Sequence, residues 1–237
     1  FRAASSGDAH AQFDLGLCHA NGDGVPQSWV AAVMWWQRAA EQGYASAQFR
    51  LGLCYAEGMG RAQSWAKAAI WYHKAAEQGD ARAQVNLGLC YAEGKGVAQS
   101  MSEAMMWFRK AARQGDAWAQ LDLGLCFAAD GAAQSWPEAV KWFRAAAEQG
   151  SVKAQFHLAL CLAEWKGVAP SWDEAVDLYR QAAERGHAWA QLGLGLCYWE
   201  GNGVARSPEE AERWALSSLS NRLQDRVFAR YARWNVR

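Results

Sequence analysis

Several features that would suggest other classes of protein are missing from this chain of 237 residues. It has only four prolines and 51% hydrophobic residues, so it can build an extended core and is not expected to be disordered. Its formal net charge is zero, which leaves no overall field to direct it toward nucleic acid or a membrane surface. No apolar run approaches the ~18 residues that a membrane-spanning helix needs.

The sequence instead repeats itself with a period of 36 residues. The segment GLCYAEGKGV at Gly88–Val97 has near-copies along the chain, each with one cysteine at the same place. The cysteines follow one another at steps of 36, 36, 36, 35 and 36: Cys18, Cys54, Cys90, Cys126, Cys161 and Cys197. Self-similarity of this size predicts a stack of repeats, in which each unit buries its apolar face against its neighbours.

We divide the chain into six repeats and two flanking segments. The repeats are 9–44, 45–80, 81–116, 117–151, 152–187 and 188–215. Residues 1–8 resemble the tail of a preceding repeat, because AASSGD at Ala3–Asp8 matches AARQGD at Ala111–Asp116, so we expect the array to continue upstream. Residues 216–237 leave the pattern and are predicted to form a basic amphipathic helix that caps the stack.

The cysteines do not have the spacing of a metal or disulfide site. Neighbouring helices pack ~8–10 Å apart, whereas a disulfide needs Cα atoms within about 7 Å, so equivalent cysteines of adjacent repeats are too far apart to bridge. The paired Cys and His ligands of a zinc site are missing too. We therefore expect small buried thiols rather than redox or metal sites, and an intracellular, reducing compartment such as the cytoplasm or an organelle matrix.

Each repeat is predicted to contain two helices. The first ends at a Gly-x-Gly loop, where glycine permits left-handed backbone. The second starts at a serine cap, at positions 28, 64, 100, 135, 171 and 207, and four of these serines have the glutamate of a capping box three residues later. Tyr44 and His187 stand where other repeats carry Asp or Ser before the first helix, and are expected to cap less well. Gly88 lies beside the apolar stripe of its helix, where a bulkier residue would hold the partner helix away.

These residues resemble a known family. ARAQVNLGLCY at Ala81–Tyr91 and AAIWYHKAAEQG at Ala68–Gly79 are similar to the Sel-1-like repeat, a relative of the tetratricopeptide repeat. The resemblance covers about residues 9–215 and implies an all-α fold, a right-handed α-solenoid of about six antiparallel helix pairs. It also implies non-enzymatic work as an adaptor or scaffold for other proteins. A secreted branch of the family has two cysteines per repeat and includes weak β-lactamases, but this chain has one.

The resemblance places a tryptophan at the family's core position in the second helix of five of the six repeats. We expect these side chains to be structural: Trp35, Trp71, Trp107, Trp142 and Trp214.

No catalytic constellation is found in the sequence. The histidines occupy different repeat positions and share no helical register with Cys or Asp: His10, His19, His73, His157 and His187. Each Gly-x-Gly leads into a serine cap, which is turn chemistry rather than a phosphate loop. We predict no enzyme, no cofactor and no metal.

Partner contacts are expected where a repeat departs from the common pattern. Tryptophan replaces a polar residue, a loop glycine or an alanine at four positions: Trp118, Trp189, Trp165 and Trp199. Exposed tryptophan is a common interface anchor. The variable columns of the first helices add four polar candidates for a concave binding groove: Arg50, Arg82, Asp122 and His157. The alternative is an ordinary solvated face.

Two further surfaces are candidates. The outer face of the second helices carries apolar residues only in the first half of the chain: Val30, Met34, Ile70 and Met106. An exposed apolar patch there would mark an interface, and the alternative is that these side chains fold against their own helix. The C-terminal segment carries a basic face that would suit an anionic partner, with a solvated cap as the alternative: Arg222, Arg226, Arg230 and Arg233.

The sequence thus predicts a protein–protein interaction scaffold or adaptor, including the structural subunit of a larger assembly. One alternative is a nucleic-acid- or membrane-associated factor that works through the C-terminal arginines. The other is a hydrolase like the cysteine-rich branch of the family.

Overall fold

The computed structural model describes residues 2–129, 134–164 and 166–232. Within these ranges it contains helices, turns and loops but no β-strand, which confirms the all-α class. The helices are α1 (Arg2–Ser5), α2 (Ala9–Asn21), α3 (Trp29–Glu41), α4 (Ala45–Glu57), α5 (Trp65–Glu77), α6 (Ala81–Glu93), α7 (Met101–Arg113), α8 (Ala117–Ala128), α9 (Trp136–Glu148), α10 (Val152–Ala163), α11 (Trp172–Glu184), α12 (Ala188–Glu200) and α13 (Pro208–Ala232).

The helices group into two compact units, Phe1–Ala119 and Gln120–Arg237. In the first unit α2 packs against α3, α4 against α5 and α6 against α7, while contacts of α3 with α4 and of α5 with α6 join successive pairs. In the second unit α10 packs against α11 and α12 against α13, with α9–α10 and α11–α12 contacts joining the pairs. Each unit is therefore a stack of helix pairs, as expected of an α-solenoid.

The predicted boundary at residue 215 is not a break between helices. We expected a separate capping helix after it, but α13 runs through this position as one helix of 25 residues. In the preceding repeats a glycine follows the second helix, whereas Arg222 occupies that place in repeat six, so the usual stop signal is missing. Residues 216–232 therefore extend the second helix of repeat six.

Most of the predicted helix caps are present. Five serine hydroxyls accept hydrogen bonds from backbone N–H groups of the first turn: those of Ser28, Ser64, Ser100, Ser171 and Ser207. The hydroxyl of Ser135 makes no such bond. Tyr44 does not cap α4, as expected. The expectation for His187 was wrong, because its Nδ1 accepts a hydrogen bond from the N–H of Ala190 at 3.2 Å.

The two helices of a repeat meet where an aromatic ring lies on a glycine. A Cβ atom at Gly52 would stand 2.6 Å from ring atoms of Tyr72, and one at Gly88 would stand 2.5 Å from Cε1 of Phe108. Real Cβ atoms essentially never come within 3.0 Å of a neighbour, so these positions have no room for a side chain. The same contact recurs in two other repeats, as Gly16 with Trp36 and Gly124 with Phe143. The predicted role of the glycine is confirmed, and we call this contact the glycine notch.

The tryptophans that we expected in the core are not the most buried rings. Trp35 and Trp107 are buried, but Trp71, Trp142 and Trp214 are half-buried. The ring in the interior of the pair comes one position later: Trp36, Tyr72, Phe108, Phe143 and Tyr179. Successive side chains point about 100° apart around a helix, so a shift of one position turns a ring from the glycine notch toward the edge of the pair.

Buried glutamines join several repeats to the segment before them, whereas Gln155 bonds to Gln181 of its own repeat. Gln84 is buried at 3% exposure, and its Nε2 donates to the carbonyl oxygen of Ala76, in the last turn of the preceding repeat, at 3.0 Å. Its Oε1 accepts from Nε2 of Gln114, just after α7, at 2.9 Å. Gln48 makes the equivalent pair of bonds, with Ala40 and Gln78. Each such glutamine therefore satisfies a helix-end carbonyl that the helix itself leaves without a partner.

We predict that Gln84→Ala lowers the free energy of unfolding by about 1–3 kcal/mol, because it leaves buried hydrogen-bonding groups without their partners. Chemical denaturation measures this loss. Gln99→Ala is the matched control, since Gln99 is exposed and makes one bond, to the carbonyl of Ala92 at 2.8 Å. Equal losses in the two variants would contradict a structural role for the buried row.

Candidate protein-binding surface

The described residues show neither a metal site nor a membrane span. No group of three or more His, Cys, Asp or Glu side chains in the described ranges could hold a metal ion. No helix in this part of the chain is long and apolar enough to cross a membrane.

The cysteines form no disulfides, and most of them lie in the interior of the helix pairs. Four are buried, while Cys18 and Cys126 are half-buried. Burial raises the pKa of the thiols of Cys54, Cys90, Cys126, Cys161 and Cys197 to about 11. The thiolate is the reactive form, so these side chains are chemically quiet at neutral pH.

Three of the four exceptional tryptophans are exposed. The exposed fractions are 65% for Trp118, 57% for Trp189 and 54% for Trp199. Arg206 reaches over Trp199, with its Cζ 5.7 Å from the ring centroid. Trp165 lies outside the described residues. The three tryptophans lie on first helices, α8 and α12, where the sequence predicted partner contacts; that role stays a prediction.

The four polar candidates lie on four different first helices, two in each unit, and Arg50, Arg82 and His157 pack against aromatic rings. Arg50 lies over Trp36, with 5.9 Å between its Cζ and the ring centroid. Arg82 pairs with Asp80 at 2.7 Å and covers the ring of Phe49 at 4.5 Å.

In the second unit, His157 stacks on Phe143, with ring centroids 5.2 Å apart and an interplanar angle of 17°. Asp122, on α8, is half-buried. These contacts join Arg50, Arg82 and His157 to side chains of the preceding repeat, and a role in partner binding stays a prediction for all four.

The remaining candidates divide between exposed residues and undescribed ones. Val30, Met34, Ile70 and Met106 are exposed on the second helices of the first three repeats. The side chains of Arg222, Arg226 and Arg230, and the whole of Arg233, lie outside the described residues.

A column of leucines on the first helices was not predicted as a surface from the sequence. They immediately follow the notch position of each repeat: Leu17, Leu53, Leu89, Leu125, Leu160 and Leu196. Leu89, Leu125 and Leu196 are exposed, and the others are half-buried. These leucines are the same in every repeat, as core residues are, so the repeat pattern did not reveal that they are exposed. Their spacing could have revealed it, because each leucine lies three residues after a position that varies between repeats, on the same side of the helix.

In the second unit these features form a groove between α10, α11 and α12. It has a volume of about 290 Å³ and is mainly apolar. Its lining includes Phe156, Leu160, Trp172, Trp189, Leu192 and Leu196. Glu164 and Glu200 also line it, and each has a local partner, Lys166 at 2.6 Å and Asn202 at 2.7 Å respectively. The groove offers an apolar surface with acidic groups beside it.

One departure from the repeat pattern, the glycine at position 193, shapes this groove. The ring of Tyr179 lies against Gly193 of the following repeat, where a Cβ would stand 2.9 Å from it. Other repeats carry Asp, Arg, Asn or His at the place of Gly193, so only this repeat leaves that space without a side chain.

At the groove, the ring of Phe156 contacts the rings of two histidines whose pKa values are lowered. Phe156 lies 5.2 Å from His157 and 4.9 Å from His187, centroid to centroid. Burial, with smaller contributions from His187 and Lys153, lowers the pKa of His157 to about 4. Burial and then Lys153 also lower the pKa of His187, whose Nδ1 needs its lone pair to cap α12.

We predict that the protein loses stability as the pH falls from 6.5 toward 4. Unfolded histidines, with a pKa of 6.5, take up protons in this range before folded His157 does, so protonation favours the unfolded state. Urea denaturation at several pH values measures the loss. His157→Phe keeps a ring on Phe143 and should show a shallower dependence; an unchanged dependence would contradict the assignment to His157.

The architecture and the surface define a class before any comparison: a helix-pair repeat protein with an apolar groove on its first helices. The chain belongs to the Sel1 repeat family. The model of this family, described as the Sel1 repeat, matches six segments of the chain: 9–44, 45–80, 81–116, 119–151, 152–187 and 190–221. The resemblance noted in the sequence is thereby confirmed. Proteins of this family are generally interaction scaffolds rather than enzymes. No curated protein matches the sequence.

Solved structures show the same fold. The chain is similar to c5321, a protective antigen of uropathogenic Escherichia coli, with 35% identity and a TM-score of 0.88; the match covers 92% of this chain and 47% of that one. The chain thus spans about half the length of that relative. A Sel1 repeat protein from Oxalobacter formigenes is 35% identical with a TM-score of 0.77, over 89% of this chain and 84% of that one.

Proposed function

We propose that the chain is a protein-binding module that holds a partner segment in the groove of its second unit. The observation that carries this proposal is the exposed apolar lining of a groove on first helices, with Trp189 and Leu196 among its residues. A groove of this size suits one or two apolar side chains of a partner, and tryptophan at its edge is a typical anchor.

The chemistry of the groove indicates the kind of segment it holds. Apolar side chains line most of it, while Glu164 and Glu200 add acceptors for a basic group. We therefore propose a segment with an apolar anchor next to Lys or Arg. The cysteines form no disulfides, which suits a reducing compartment, and we propose that the protein works there.

Family membership supports a scaffold over the two other classes. The Sel1 repeat match covers most of the chain, and proteins with this repeat generally assemble other proteins. A nucleic-acid or membrane role would depend on the C-terminal arginines, whose side chains are not described. A hydrolase would need an activated nucleophile, and the described lining of the groove holds, beside its two carboxylates, the thiol of Cys197, whose pKa burial raises to about 11.

We predict that Leu196→Asp abolishes partner binding, because a carboxylate in the apolar lining repels the anchor side chain. Leu216→Asp is the matched control, since Leu216 is equally exposed but does not line the groove. Proteins retained from a lysate of the source organism by wild type and both variants would be compared by quantitative mass spectrometry. The thermal unfolding midpoint checks that the variants fold alike.

The expected result is a set of partners lost with Leu196→Asp and kept with Leu216→Asp. Partners that both variants keep would show that binding occurs elsewhere, and the groove would not be the functional site.

A further inference from the structure

A second surface, unrelated to the groove, lies on the second helices of the first unit. One row on it is apolar and consists of Met34, Ile70 and Met106, all exposed, with Ile70 at 56%. The other row is basic and follows one turn later on each helix: Arg38, Lys74 and Lys110. We call the two rows together the basic ridge.

The basic ridge is confined to three consecutive repeats. Residues four apart lie on the same face of a helix, so each apolar residue stands beside its cation on α3, α5 and α7. In the second unit the equivalent apolar positions carry Lys141, Asp177 and Arg213. The equivalent basic positions there carry Ala145, Gln181 and Ser217, so the pattern is absent from those repeats.

Tryptophan rings hold the cations of the ridge in place. The distance from the charged group to the ring centroid is 4.7 Å for Arg38 over Trp35, 4.4 Å for Lys74 over Trp71 and 3.9 Å for Lys110 over Trp107. These are cation–π contacts, and they reduce the freedom of long side chains that would otherwise have to be ordered on binding. The tryptophans at the family's core position thus have a role in the ridge.

The cations of the ridge are ordered without being neutralised. None of the three forms an ion pair with a carboxylate of the described residues. The nearest acids along the helices are engaged with other side chains: Glu41 accepts from Gln37, and Glu77 pairs with His73. In repeat three Arg113 takes the place of that acid. The row therefore presents three fixed positive charges beside three exposed apolar side chains.

We propose that the basic ridge binds an acidic amphipathic helix of a partner protein, laid across α3, α5 and α7. In the ridge an apolar row lies beside a row of cations, so the matching partner helix carries a stripe of apolar residues and, beside it, a stripe of Glu or Asp. This surface and its partner are independent of the groove.

The observations favour a helix over an anionic membrane. A flat bilayer would press on the whole outer face of the helices, including the exposed carboxylates of Glu41 and Glu77, which anionic lipid repels. A helix contacts only the two rows.

The test uses the full chain and a fluorescein-labelled, three-heptad helical peptide with Leu and Glu stripes, followed by fluorescence anisotropy. We expect saturable binding that weakens as added salt shortens the Debye length from about 10 Å to about 3 Å. Ile70→Asp and Lys74→Glu should each weaken binding about tenfold or more. The matched controls are Lys141→Glu, at the equivalent place of the apolar row in repeat four, and Leu196→Asp in the groove; both should bind as wild type does.

Three results would overturn the proposal. The first is no binding by wild type, and the second is equal binding by the ridge variants and the controls. The third is binding to vesicles of phosphatidylserine and phosphatidylcholine that Lys74→Glu abolishes, together with no binding of the peptide, which would assign the ridge to a membrane. Circular dichroism melting of each variant shows whether lost binding reflects lost folding.

Discussion

The contact between a glycine of the first helix and an aromatic ring of the second fixes the distance between the two helices of a repeat. At Gly52 and Gly88 there is no room for even a methyl group. Because the ring fills this space, the apolar stripes of the two helices pack against each other. The last turn of the second helix then contacts the buried glutamine of the next repeat. The surfaces proposed to bind partners are what these contacts leave exposed.

Much of the fold could be predicted because the same physical requirement recurs in each repeat. The cysteine spacing, the serine caps and the notch glycines each signal one local need, and five or six copies of each make the signal plain. The glutamine row was harder to predict, since a polar residue in a repeat does not reveal whether its amide lies in solvent or meets a buried carbonyl. The core ring was placed one residue too early, because Trp35 and Trp36 are both aromatic and only packing decides which one fills the notch.

The candidate surfaces were predictable to a lesser degree for a related reason. Trp189 could be singled out because it departs from the pattern, and it does line the groove. The leucines beside it could not, since a constant apolar residue looks the same whether it packs or stays exposed. Gly193 was visible as the one glycine of its column, but its effect depends on Tyr179, which only the structure brings against it. The basic ridge needed both exposure and the cation–π contacts to be recognised.

The glycine notch can be tested by the stability of Gly88→Ala. In a helix without this contact the substitution should raise the free energy of unfolding by about 0.5–1 kcal/mol, because alanine favours helix. Here the new methyl would stand 2.5 Å from Cε1 of Phe108, so we expect a loss of about 1–3 kcal/mol from overpacking, measured by urea denaturation. An unchanged or increased stability would contradict the account.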